Sequence, residues 1–461
     1  MKMNHCVVGI DLGTSSVKII KKYKDGHIEK LKNTYEEPLP LGWWNSILTL
    51  LERIEWEEVI AIGLSSQVGT YLVNDEEIIS WNCGVGKEEL KWWKTNFSEE
   101  KFVEEISMPH PDIISYPLPR LKYIKENFKE IRRICQPKEY ILEKLTGEWV
   151  TDVYSWRGLA NLKSGKYSQY FLQQLSLAED ILPPIKRYDG IAGYTAKIEF
   201  QKKYLPAGIP VFVGLNDYFA GLLGMGIGQI GEMFDVTGTS EHLGILLENT
   251  QMNTSLVSGL YLEHAVHYGV TASSGPSIKY GLKLMGDKGI DLEKMMQQKP
   301  PVFLPYLKGE RAPIWNADAR GVFFGMEEDC SLEQMAYSVM EGVVFSLYHI
   351  YETMGKPQVE KIVISGGAAT LDFLNLLKSE LFDVPVEIVE ESDVSALGAC
   401  MVAAVGAGVY QSYQQITKEW VKRKSGFFPS GTYREWFEKR FEIYKELYES
   451  LEPLFQKWKK L

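Results

Sequence analysis

Two short segments of this chain read almost alike, and their repetition constrains the fold more than any other feature does. The first is residues 10–15 (IDLGTS), near the start, and the second is residues 234–240 (FDVTGTS), near the middle. Each follows apolar residues that predict a β-strand, so each places an aspartate, Asp11 or Asp235, at a strand end. A tight Gly-Thr-Ser turn comes next in both. The repeat predicts two half-molecules that face one another.

Both turns have the chemistry of a phosphate-binding loop. Glycine lets a backbone approach an anion closely, and a concave nest of N–H groups holds phosphate oxygens. The predicted phosphate-binding residues are Gly13, Thr14, Ser15, Gly238 and Thr239. A single copy is equally typical of a hairpin turn, but two copies favour a polyphosphate. Lys18, on the strand after the first turn, is placed to reach a phosphate as a point charge, with a solvated strand lysine as the alternative.

The chain is long enough for two domains. With 461 residues it exceeds the size at which one compact core stops growing. Glycines cluster at residues 226–231, so we predict a first domain over residues 1–228 and a second over residues 229–461 that ends in a helix. Strand-like apolar runs such as residues 210–214 alternate with helical patterns such as residues 332–353. That alternation predicts an α/β architecture with covered sheets.

Composition argues against several classes of function. The net charge of -11 disfavours nucleic acid and anionic membrane surfaces as partners. Five scattered cysteines without a Cys-x-x-Cys pair are typical of a reducing cytosol, and the first residues lack a secretory signal. The apolar stretch at residues 396–410 is too short to span a bilayer, so we predict a buried helix that contains glycines. These features together predict a cytoplasmic protein with no nucleic-acid or membrane partner.

Three further segments favour structural roles. His264 and His267 have the spacing of metal ligands on a helix, but their alternating setting predicts a strand, where residues i and i+3 point to opposite faces. The aromatic stripe in residues 433–460 predicts a terminal amphipathic helix docked on the body. Residues 118–131 predict another helix. The sequence has no Gly-x-x-x-x-Gly-Lys-Ser/Thr loop, which excludes the P-loop class.

Asp217 stands just past a predicted buried strand and at the start of a predicted helix. An aspartate there suits a helix N-cap. It also suits the base that receives a hydroxyl proton as that oxygen attacks a γ-phosphorus, and both roles are compatible. Residues 365–369 (SGGAA) likewise follow an apolar strand and precede a helix. Small residues there let a flat ring or ribose lie against the backbone, although a plain turn is the alternative.

Longer motifs resemble those of one family. They are residues 115–127 (SYPLPRLKYIKEN), residues 308–321 (KGERAPIWNADARG) and residues 321–326 (GVFFGM) with the following residues 334–341 (QMAYSVME). In this order they resemble the signatures of the FGGY carbohydrate kinases, members of the actin-like and hexokinase-like phosphotransferases. The resemblance runs from about residue 7 to at least residue 406. Arg120 and Tyr123 depart from the first signature, in which lysine and tryptophan are usual.

The resemblance implies two ribonuclease-H-like domains, of the actin and hexokinase type, with an interdomain cleft for ATP and sugar. It implies ATP and Mg²⁺, a sugar acceptor, and closure that excludes water. Asp217 matches the catalytic base, and Asp11 and Asp217 are the implied Mg²⁺ ligands. Besides Asp11 and the two turns, the implied nucleotide-binding residues are Gly275, Gly366 and Gly367. A homodimer is compatible with the resemblance.

The predicted sugar side departs from the family pattern. Residues 67–70 (QVGT) stand where xylulose kinases usually carry Gln-Met-His-Gly, and residues 81–86 (WNCGVG) stand where the family usually has Trp-Asn-Asp-x-Arg. The predicted substrate contacts are Gln67, Trp81, Asn82 and Asp217. A loss of paired donors and acceptors changes which hydroxylated ligand fits. The sequence therefore indicates intact nucleotide chemistry beside an altered acceptor site.

We predict an ATP-dependent kinase of a pentulose or hexulose, with a xylulose-like acceptor as the first choice. Gluconate is the alternative acceptor; its carboxylate needs a cation, and the missing arginine after Trp81 argues against it. A catalytically silent ATP-binding homologue is a further alternative. An ATP-responsive binding or structural protein of the same superfamily explains the paired turns but not the FGGY-type segments or Asp217.

Overall fold

The computed structural model describes residues 5–35, 37, 39–110, 112–200, 203–252, 255–286 and 289–460, with the backbone alone at residue 425. The chain forms two compact units. The first comprises residues 1–228, 259–263 and 393–422, and the second comprises residues 229–258, 264–392 and 423–461. The break after residue 228 falls in the glycine cluster at which the sequence predicts the domain boundary. Residues 259–263 and 393–422, which the sequence places in the second domain, belong instead to the first unit.

Helices and strands alternate along the described chain. The helices are α1 (Pro40–Leu51), α2 (Lys87–Asn96), α3 (Glu99–Ile106), α4 (Pro117–Asn127), α5 (Pro137–Thr146), α6 (Gln169–Leu175), α7 (Asp217–Gly224), α8 (Ser274–Met285), α9 (Leu292–Gln298), α10 (Leu332–Thr353), α11 (Asp372–Phe382), α12 (Val394–Gly406), α13 (Tyr413–Trp420) and α14 (Arg434–Trp458). The strands are β1 (Cys6–Leu12), β2 (Ser16–Tyr23), β3 (Ile28–Thr34), β4 (Val59–Ser66), β5 (Tyr71–Val73), β6 (Glu77–Ile79), β7 (Ile134–Cys135), β8 (Ala160–Asn161), β9 (Lys166–Tyr167), β10 (Ile191–Tyr194), β11 (Ile198–Glu199), β12 (Tyr204–Leu205), β13 (Pro210–Phe212), β14 (Leu215–Asn216), β15 (Met233–Thr237), β16 (His242–Leu247), β17 (Val257–Tyr261), β18 (His264–Val270), β19 (Val302–Leu304), β20 (Val322–Phe324), β21 (Ile362–Gly366), β22 (Val386–Val389) and β23 (Arg423–Phe427). Short 3₁₀ helices lie at Glu179–Ile181 and Gly367–Thr370.

The first unit is built on a mixed sheet with the strand order β10-β13-β4-β1-β2-β3, in which β14 also pairs with β4. β1 runs antiparallel to β2 and parallel to β4. Every residue of β1 is buried, as expected for a central strand that is covered on both faces. The register places Asp11 opposite Lys18 in β2 and opposite Ser65 in β4. The ends of β1 and β4 therefore lie at one edge of the sheet.

The second unit repeats this plan. Its sheet has the strand order β17-β18-β16-β15-β21-β22-β23. β15 runs antiparallel to β16 and parallel to β21, as β1 does to β2 and β4. In both units a strand leads into a Gly-Thr-Ser turn, an antiparallel strand returns, and a later strand adds a parallel neighbour. The predicted α/β fold with two similarly built domains is confirmed.

Helix α12 belongs to the first unit although it lies far along the chain. It approaches the sheet so closely that a Cβ on Gly63 would lie 1.9 Å from the carbonyl oxygen of Ala399. A larger residue at this position of β4 would push the helix away. The helix is buried from Ala396 to Ala404. The predicted buried helix is therefore confirmed, and its end at Gly406 falls inside the predicted stretch.

The helix predicted over residues 118–131 is wrong at its carboxyl end. α4 stops at Asn127, and the chain is extended at Phe128. The side-chain oxygen of Asn74 then accepts hydrogen bonds from the N–H groups of Arg132 and Arg133, at 2.8 and 3.3 Å. β7 follows and pairs with β5. Strand pairing overrides the helical spacing of these residues.

The structure also tests the predictions for the two histidines, the terminal helix and the cysteines. His264 and His267 lie in β18, as the alternating pattern predicts. The terminal helix is α14, in which Phe437 and Phe441 of the aromatic stripe are buried. The five cysteines, all of them described, are free thiols. Across the described ranges, no helix is both long enough and apolar enough to cross a bilayer.

Candidate functional site

Asp11 lies near the end of β1, at the edge of the first sheet. The residue is 7% exposed, and its Oδ1 accepts a hydrogen bond of 2.6 Å from the Ser65 hydroxyl. Burial raises the pKa of Asp11 to about 6, while the Ser65 hydrogen bond and the charge of Lys18 act in the opposite direction. Ser65 was not predicted from the sequence, because only the register of β1 and β4 brings it opposite Asp11. The first unit thus holds a carboxyl group that ionises close to neutral pH.

The turn after Asp11 presents its side chains to solvent. Thr14 and Ser15 are exposed, and the Tyr35 hydroxyl donates to the carbonyl oxygen of Gly13. The indole N–H of Trp81 donates to Thr14 Oγ1 at 3.1 Å. A residue predicted to contact the acceptor therefore touches a residue predicted to contact phosphate.

Lys18 lies beside this turn, but its charge is compensated. Its Nζ is 2.8 Å from Asp393 Oδ1, in an ion pair that stays partly exposed. Asp393 precedes α12 and also lies 3.9 Å from Lys30. The register that places Lys18 opposite Asp11 agrees with the predicted location. The ion pair with Asp393 compensates the charge that the sequence predicts for a phosphate.

Asp217 is the first residue of α7 and is half-buried. The helix cap is its neighbour Asn216, whose side chain accepts a hydrogen bond of 2.9 Å from the Phe219 N–H. The capping role that the sequence allowed for Asp217 is therefore filled by another residue. Asp217 Oδ1 accepts a hydrogen bond of 2.9 Å from the Tyr218 N–H. Burial, followed by the charge of Asp11, raises the pKa of Asp217 to about 7.

The structure brings Asp11 and Asp217 to the same edge of the first sheet. β1 and β14 both pair with β4, with Asp11 opposite Ser65 and Asn216 opposite Ser66. Two strand spacings place the two backbones about 10 Å apart. A small molecule can therefore contact both carboxyl groups at once.

Apart from Asp217, the predicted acceptor residues lie in two adjoining segments of the first unit. Gln67 is buried just after β4, and its N–H donates to the carbonyl oxygen of Leu12 at 2.8 Å. Trp81 is half-buried and Asn82 is exposed. The Trp81 N–H donates to the Thr70 hydroxyl at 3.1 Å, which ties the two segments together.

Arg120 supports the loop that carries Trp81 and Asn82. It is fully buried in α4, and its Nη2 donates to the carbonyl oxygens of Ser80, Trp81 and Cys83 at 3.2 Å each. A planar guanidinium can bind several carbonyl groups in this way, which a lysine ammonium does less well. The departure at Arg120 therefore has a structural role in shaping the loop.

Arg157 is a buried cation near Asp217 that the sequence did not single out. Its guanidinium lies 4.6 Å from the Phe219 ring centroid and 5.8 Å from that of Tyr218. Its positive charge lowers the pKa of Asp217, although burial has the larger effect. Residues 154–158 (YSWRG) carry no motif, so only the fold reveals this contact. Arg157 places a positive charge beside the predicted base.

In the second unit, the predicted nucleotide-binding turns leave the sheet side by side. β15 and β21 are parallel neighbours, with Thr237 opposite Gly366. A Cβ on Gly366, whose φ is +105°, would lie 2.0 Å from the carbonyl oxygen of Thr237. The Thr237 hydroxyl accepts a hydrogen bond of 2.9 Å from the Ala368 N–H. The turns at residues 238–240 and 366–367 therefore form one continuous surface.

Gly275, at the start of α8, lies against the same turn. Its N–H donates to the carbonyl oxygen of Thr239 at 3.2 Å, and a Cβ there would lie 2.6 Å from the carbonyl oxygen of Gly238. Gly238 and Thr239 remain exposed. The structure thus collects every nucleotide-binding residue that the sequence predicts in the second half of the chain.

The second aspartate of the repeat lies elsewhere. Asp235 is fully buried, and its Oδ2 is 2.5 Å from Lys378 Nζ of α11. The same ammonium group is 2.6 Å from Glu241 Oε1. Burial and the neighbouring charge of Glu241 raise the pKa of Asp235 well above its ordinary value. The two Gly-Thr-Ser turns are therefore alike in the structure, but the aspartates that precede them have different surroundings.

Two family models match this chain. One, described as the N-terminal domain of the FGGY family of carbohydrate kinases, matches residues 6–224. The other, described as the C-terminal domain of that family, matches residues 235–407. Their order along the chain, and the fact that together they span most of it, agree with the predicted resemblance.

Individual carbohydrate kinases are also similar to this chain in sequence and in structure. The chain is similar to a xylulose kinase of Escherichia coli strain K12, with 27% identity over 97% of this chain and 99% of that protein. Its structure is similar to that of a ligand-bound xylulose kinase from Lactobacillus acidophilus, with a TM-score of 0.86 and 23% identity over 98% of this chain and 100% of the other. A gluconate kinase from the same organism has a TM-score of 0.85 and 22% identity over 99% and 100%. At these identities the structural matches establish a shared fold.

Proposed function

We propose that this chain, which belongs to the FGGY family of carbohydrate kinases, transfers the γ-phosphoryl group of ATP to a hydroxyl of a xylulose-like pentulose. ATP-dependent phosphorylation of a sugar follows from the family; the acceptor and the residue roles are the proposal. The observation that carries these roles is the meeting of Asp11 and Asp217 at one sheet edge. The two acids lie on either side of β4, so one can serve the phosphate and the other the acceptor.

The residues present fit Mg²⁺, which the family typically uses. Magnesium in such sites takes one or two carboxylates together with substrate phosphates. Asp11 offers a carboxylate with one oxygen fixed by Ser65, and we propose that Asp11 and Asp217 hold the ion. The bound ion neutralises charge on the phosphates. Among the described residues, no group of three or more His, Cys, Asp or Glu side chains offers another metal site.

For the first unit we propose that the turn at residues 13–15 contacts phosphate oxygens. For the second unit we propose that the turn at residues 238–240 binds phosphate oxygens of ATP and that the nucleoside lies against Gly366 and Gly367. The supporting feature is that Gly366, Gly275 and the turn at residues 238–240 share one surface. Exposed hydroxyls and N–H groups there match the oxygens of a polyphosphate. Lys18 is kept as a secondary contact because of its ion pair with Asp393.

Asp217 acts as the base. The acceptor hydroxyl oxygen forms a bond to the γ-phosphorus, the bond from that phosphorus to the β,γ-bridging oxygen breaks, and ADP leaves. The hydroxyl proton passes to Asp217 Oδ2, while the Tyr218 N–H holds Oδ1. In the protein without bound metal, burial raises the pKa of Asp217 to about 7, so its carboxylate is more basic than an ordinary aspartate and better able to take a proton.

The identity of the sugar that accepts the phosphoryl group is proposed from the similar proteins and from one contact in the structure. A xylulose-like sugar is favoured because the similar proteins named above are mostly xylulose kinases. One observation favours gluconate, the second candidate. Arg157 is a cation beside the helix that carries Asp217, and a sugar carboxylate needs a cation nearby. We also propose a cytoplasmic location, consistent with the free thiols, and a homodimer stays a prediction from the family.

The decisive experiment compares Asp217→Asn with the wild type in an ADP-release assay over a panel of pentuloses, hexuloses, polyols and aldonates. We expect turnover to fall by about 100- to 10,000-fold, the usual contribution of a general base. ATP binding without Mg²⁺, measured by calorimetry, should stay within about threefold of the wild type, because Asp217 is proposed to contact the ion and the acceptor and not the nucleotide itself. The control is Asp291→Asn, because Asp291 caps α9 in the second unit and asparagine caps equally well.

Three outcomes are informative. Near-normal turnover in Asp217→Asn would remove the assigned base. Wild-type turnover with gluconate and not with xylulose would assign the acceptor to the second candidate. No ADP release with any acceptor, while ATP still binds, would identify a catalytically silent homologue.

A further inference from the structure

Arg311 lies beside the second Gly-Thr-Ser turn and is not among the residues predicted to bind the nucleotide. It follows α8 and β19 in the chain and is exposed. Its Nη1 donates to Ser240 Oγ at 3.1 Å. Among the described residues, its guanidinium forms no salt bridge. A guanidinium that donates to one neutral hydroxyl, with the Glu310 carboxylate as a neighbouring charge, therefore stands next to a predicted phosphate-binding turn.

The backbone of Arg311 is firmly held. The buried carboxylate of Glu310 accepts hydrogen bonds from the N–H groups of Arg311 and Ala272, at 2.8 and 2.5 Å. Its other oxygen accepts a hydrogen bond of 3.0 Å from the Ser346 hydroxyl of α10. The Ala312 N–H donates to the carbonyl oxygen of Val270 at 3.1 Å. The position from which the side chain projects is thus fixed by groups from two other elements.

The same segment, residues 270–275, also holds the turn. The Thr271 N–H donates to the carbonyl oxygen of Glu241 at 2.9 Å, and the Glu241 N–H donates back to Thr271 Oγ1 at 3.1 Å. Gly275 binds Thr239 through its N–H. The backbone of Arg311 and the turn are therefore anchored on one segment, which keeps the origin of the Arg311 side chain close to the turn.

The turn itself carries no formal charge. Gly238, Thr239 and Ser240 offer only N–H groups and hydroxyls, and the nearby ions of Asp235, Glu241 and Lys378 are buried together. A nucleoside polyphosphate carries several negative charges. A guanidinium binds two phosphate oxygens at once through its planar fork, in charge-assisted hydrogen bonds. Arg311 would supply a positive charge at a turn whose own groups are neutral.

We propose that Arg311 contacts the polyphosphate of the nucleotide at the turn of residues 238–240. The inference rests on the proposed function, because it takes the turn to be a phosphate site. It gives a role to Arg311, which lies in the motif of residues 308–321 but was assigned no function from the sequence.

The test uses the full chain and three ligands, ATP, ADP and adenosine, whose affinities are measured by calorimetry or by competition with a labelled nucleotide. For Arg311→Met we expect about 10- to 100-fold weaker binding of ATP and ADP, the range of a lost charge-assisted hydrogen bond. Adenosine, which has no phosphate, should bind as it does to the wild type. Arg311→Lys, which keeps the charge but not the fork, should recover part of the loss.

Arg434→Met is the matched control, because Arg434 is an exposed arginine on α14 that pairs with Asp383. It should leave all three affinities unchanged. Unchanged ATP binding in Arg311→Met, or an equal loss of ATP, ADP and adenosine, would overturn the phosphate contact while the proposed function stands. If the wild type binds none of the three ligands, the proposed function fails, and the assignment of Arg311 fails with it.

Discussion

In the first unit, Asp11 keeps some exposure and shares one oxygen with a serine hydroxyl. In the second unit, Asp235 is sealed in the interior and bound to an ammonium group that also binds Glu241. Both aspartates precede a Gly-Thr-Ser turn at the end of a central strand, and both strands have the same neighbours in their sheets. The turns match in the two units, and the acids do not.

The difference has a simple cause in the spacing. Asp11 stands two residues before the glycine of its turn, whereas Asp235 stands three residues before its glycine. Successive side chains of a strand point to opposite faces, so a shift of one residue moves a side chain to the other face. Asp235 consequently shares its face with the core residue Met233. One inserted residue, and not the residue type, separates a candidate ligand from a structural ion.

The largest effect that tests this comparison is expected from Lys378→Met. The substitution leaves Asp235 and Glu241 buried without a counter-charge, which typically costs about 3–5 kcal/mol. Lys18→Met is the matched change in the first unit, where the partly exposed pair with Asp393 should be worth about 0–1 kcal/mol. Denaturant unfolding of both variants at pH 8 measures the two free energies. Equal losses would show that the two clusters do not differ as described.

A somewhat smaller effect, on turnover and not on stability, is expected from Asp11→Asn. The amide keeps the size of the side chain but not its charge, so turnover should fall by about 100- to 1000-fold, the cost of removing one group that stabilises the transition state. The unfolding free energy should hold or rise, because burial disfavours the charged form. The turnover rate and the unfolding free energy of Asp11→Asn are measured on the same preparation and compared with those of the wild type. Wild-type turnover would contradict the role given to Asp11.

Asp235→Asn should affect stability in a way that depends on pH. The pKa of Asp235 is raised in the folded state, so the native protein keeps a proton that the unfolded chain has lost above about pH 4. The wild-type unfolding free energy therefore falls as pH rises, until Asp235 ionises in the folded state. The variant lacks this loss, so its unfolding free energy relative to that of the wild type should rise between pH 5 and pH 9.

Near pH 5 the two proteins should differ little, because both are then neutral at this position. Thermal or denaturant unfolding at pH 5, 7 and 9 provides the comparison. A variant that is destabilised equally at every pH would mean that the amide fails for reasons of packing, and that titration of Asp235 is not what limits stability.

The smallest effect is expected from Ser65→Ala, which removes the hydrogen bond to Asp11. That bond favours the ionised carboxylate, so its loss should raise the pKa of Asp11 further and weaken Mg²⁺ about tenfold, as for other partners of metal ligands. The Mg²⁺ concentration at half-maximal ADP release measures the change. If this Mg²⁺ concentration did not change, Ser65 would have no influence on the proposed metal site.

Much of this architecture was predictable because it depends on local patterns. Apolar runs gave β1 and β15, the helical period gave α10 with its bounds at Leu332 and Thr353, and glycine marked the turns. The motifs resembled one family, and the family models agree. Asp217 was predicted from its place between a strand and a helix. Such signals are written within a few neighbouring residues, so they can be read without the fold.

Other features depend on residues that are distant in sequence. Ser65 meets Asp11 through the strand register, Arg120 supports a loop some forty residues before it, and Arg157 reaches the helix of Asp217 through aromatic packing. The two aspartates of the repeat look equivalent in the chain, yet only their faces and neighbours distinguish them. The amino-acid sequence by itself determined the strands, the turns and the family. The tertiary structure decided which charges are buried together and which remain available, because burial and pairing are set by contacts between remote segments.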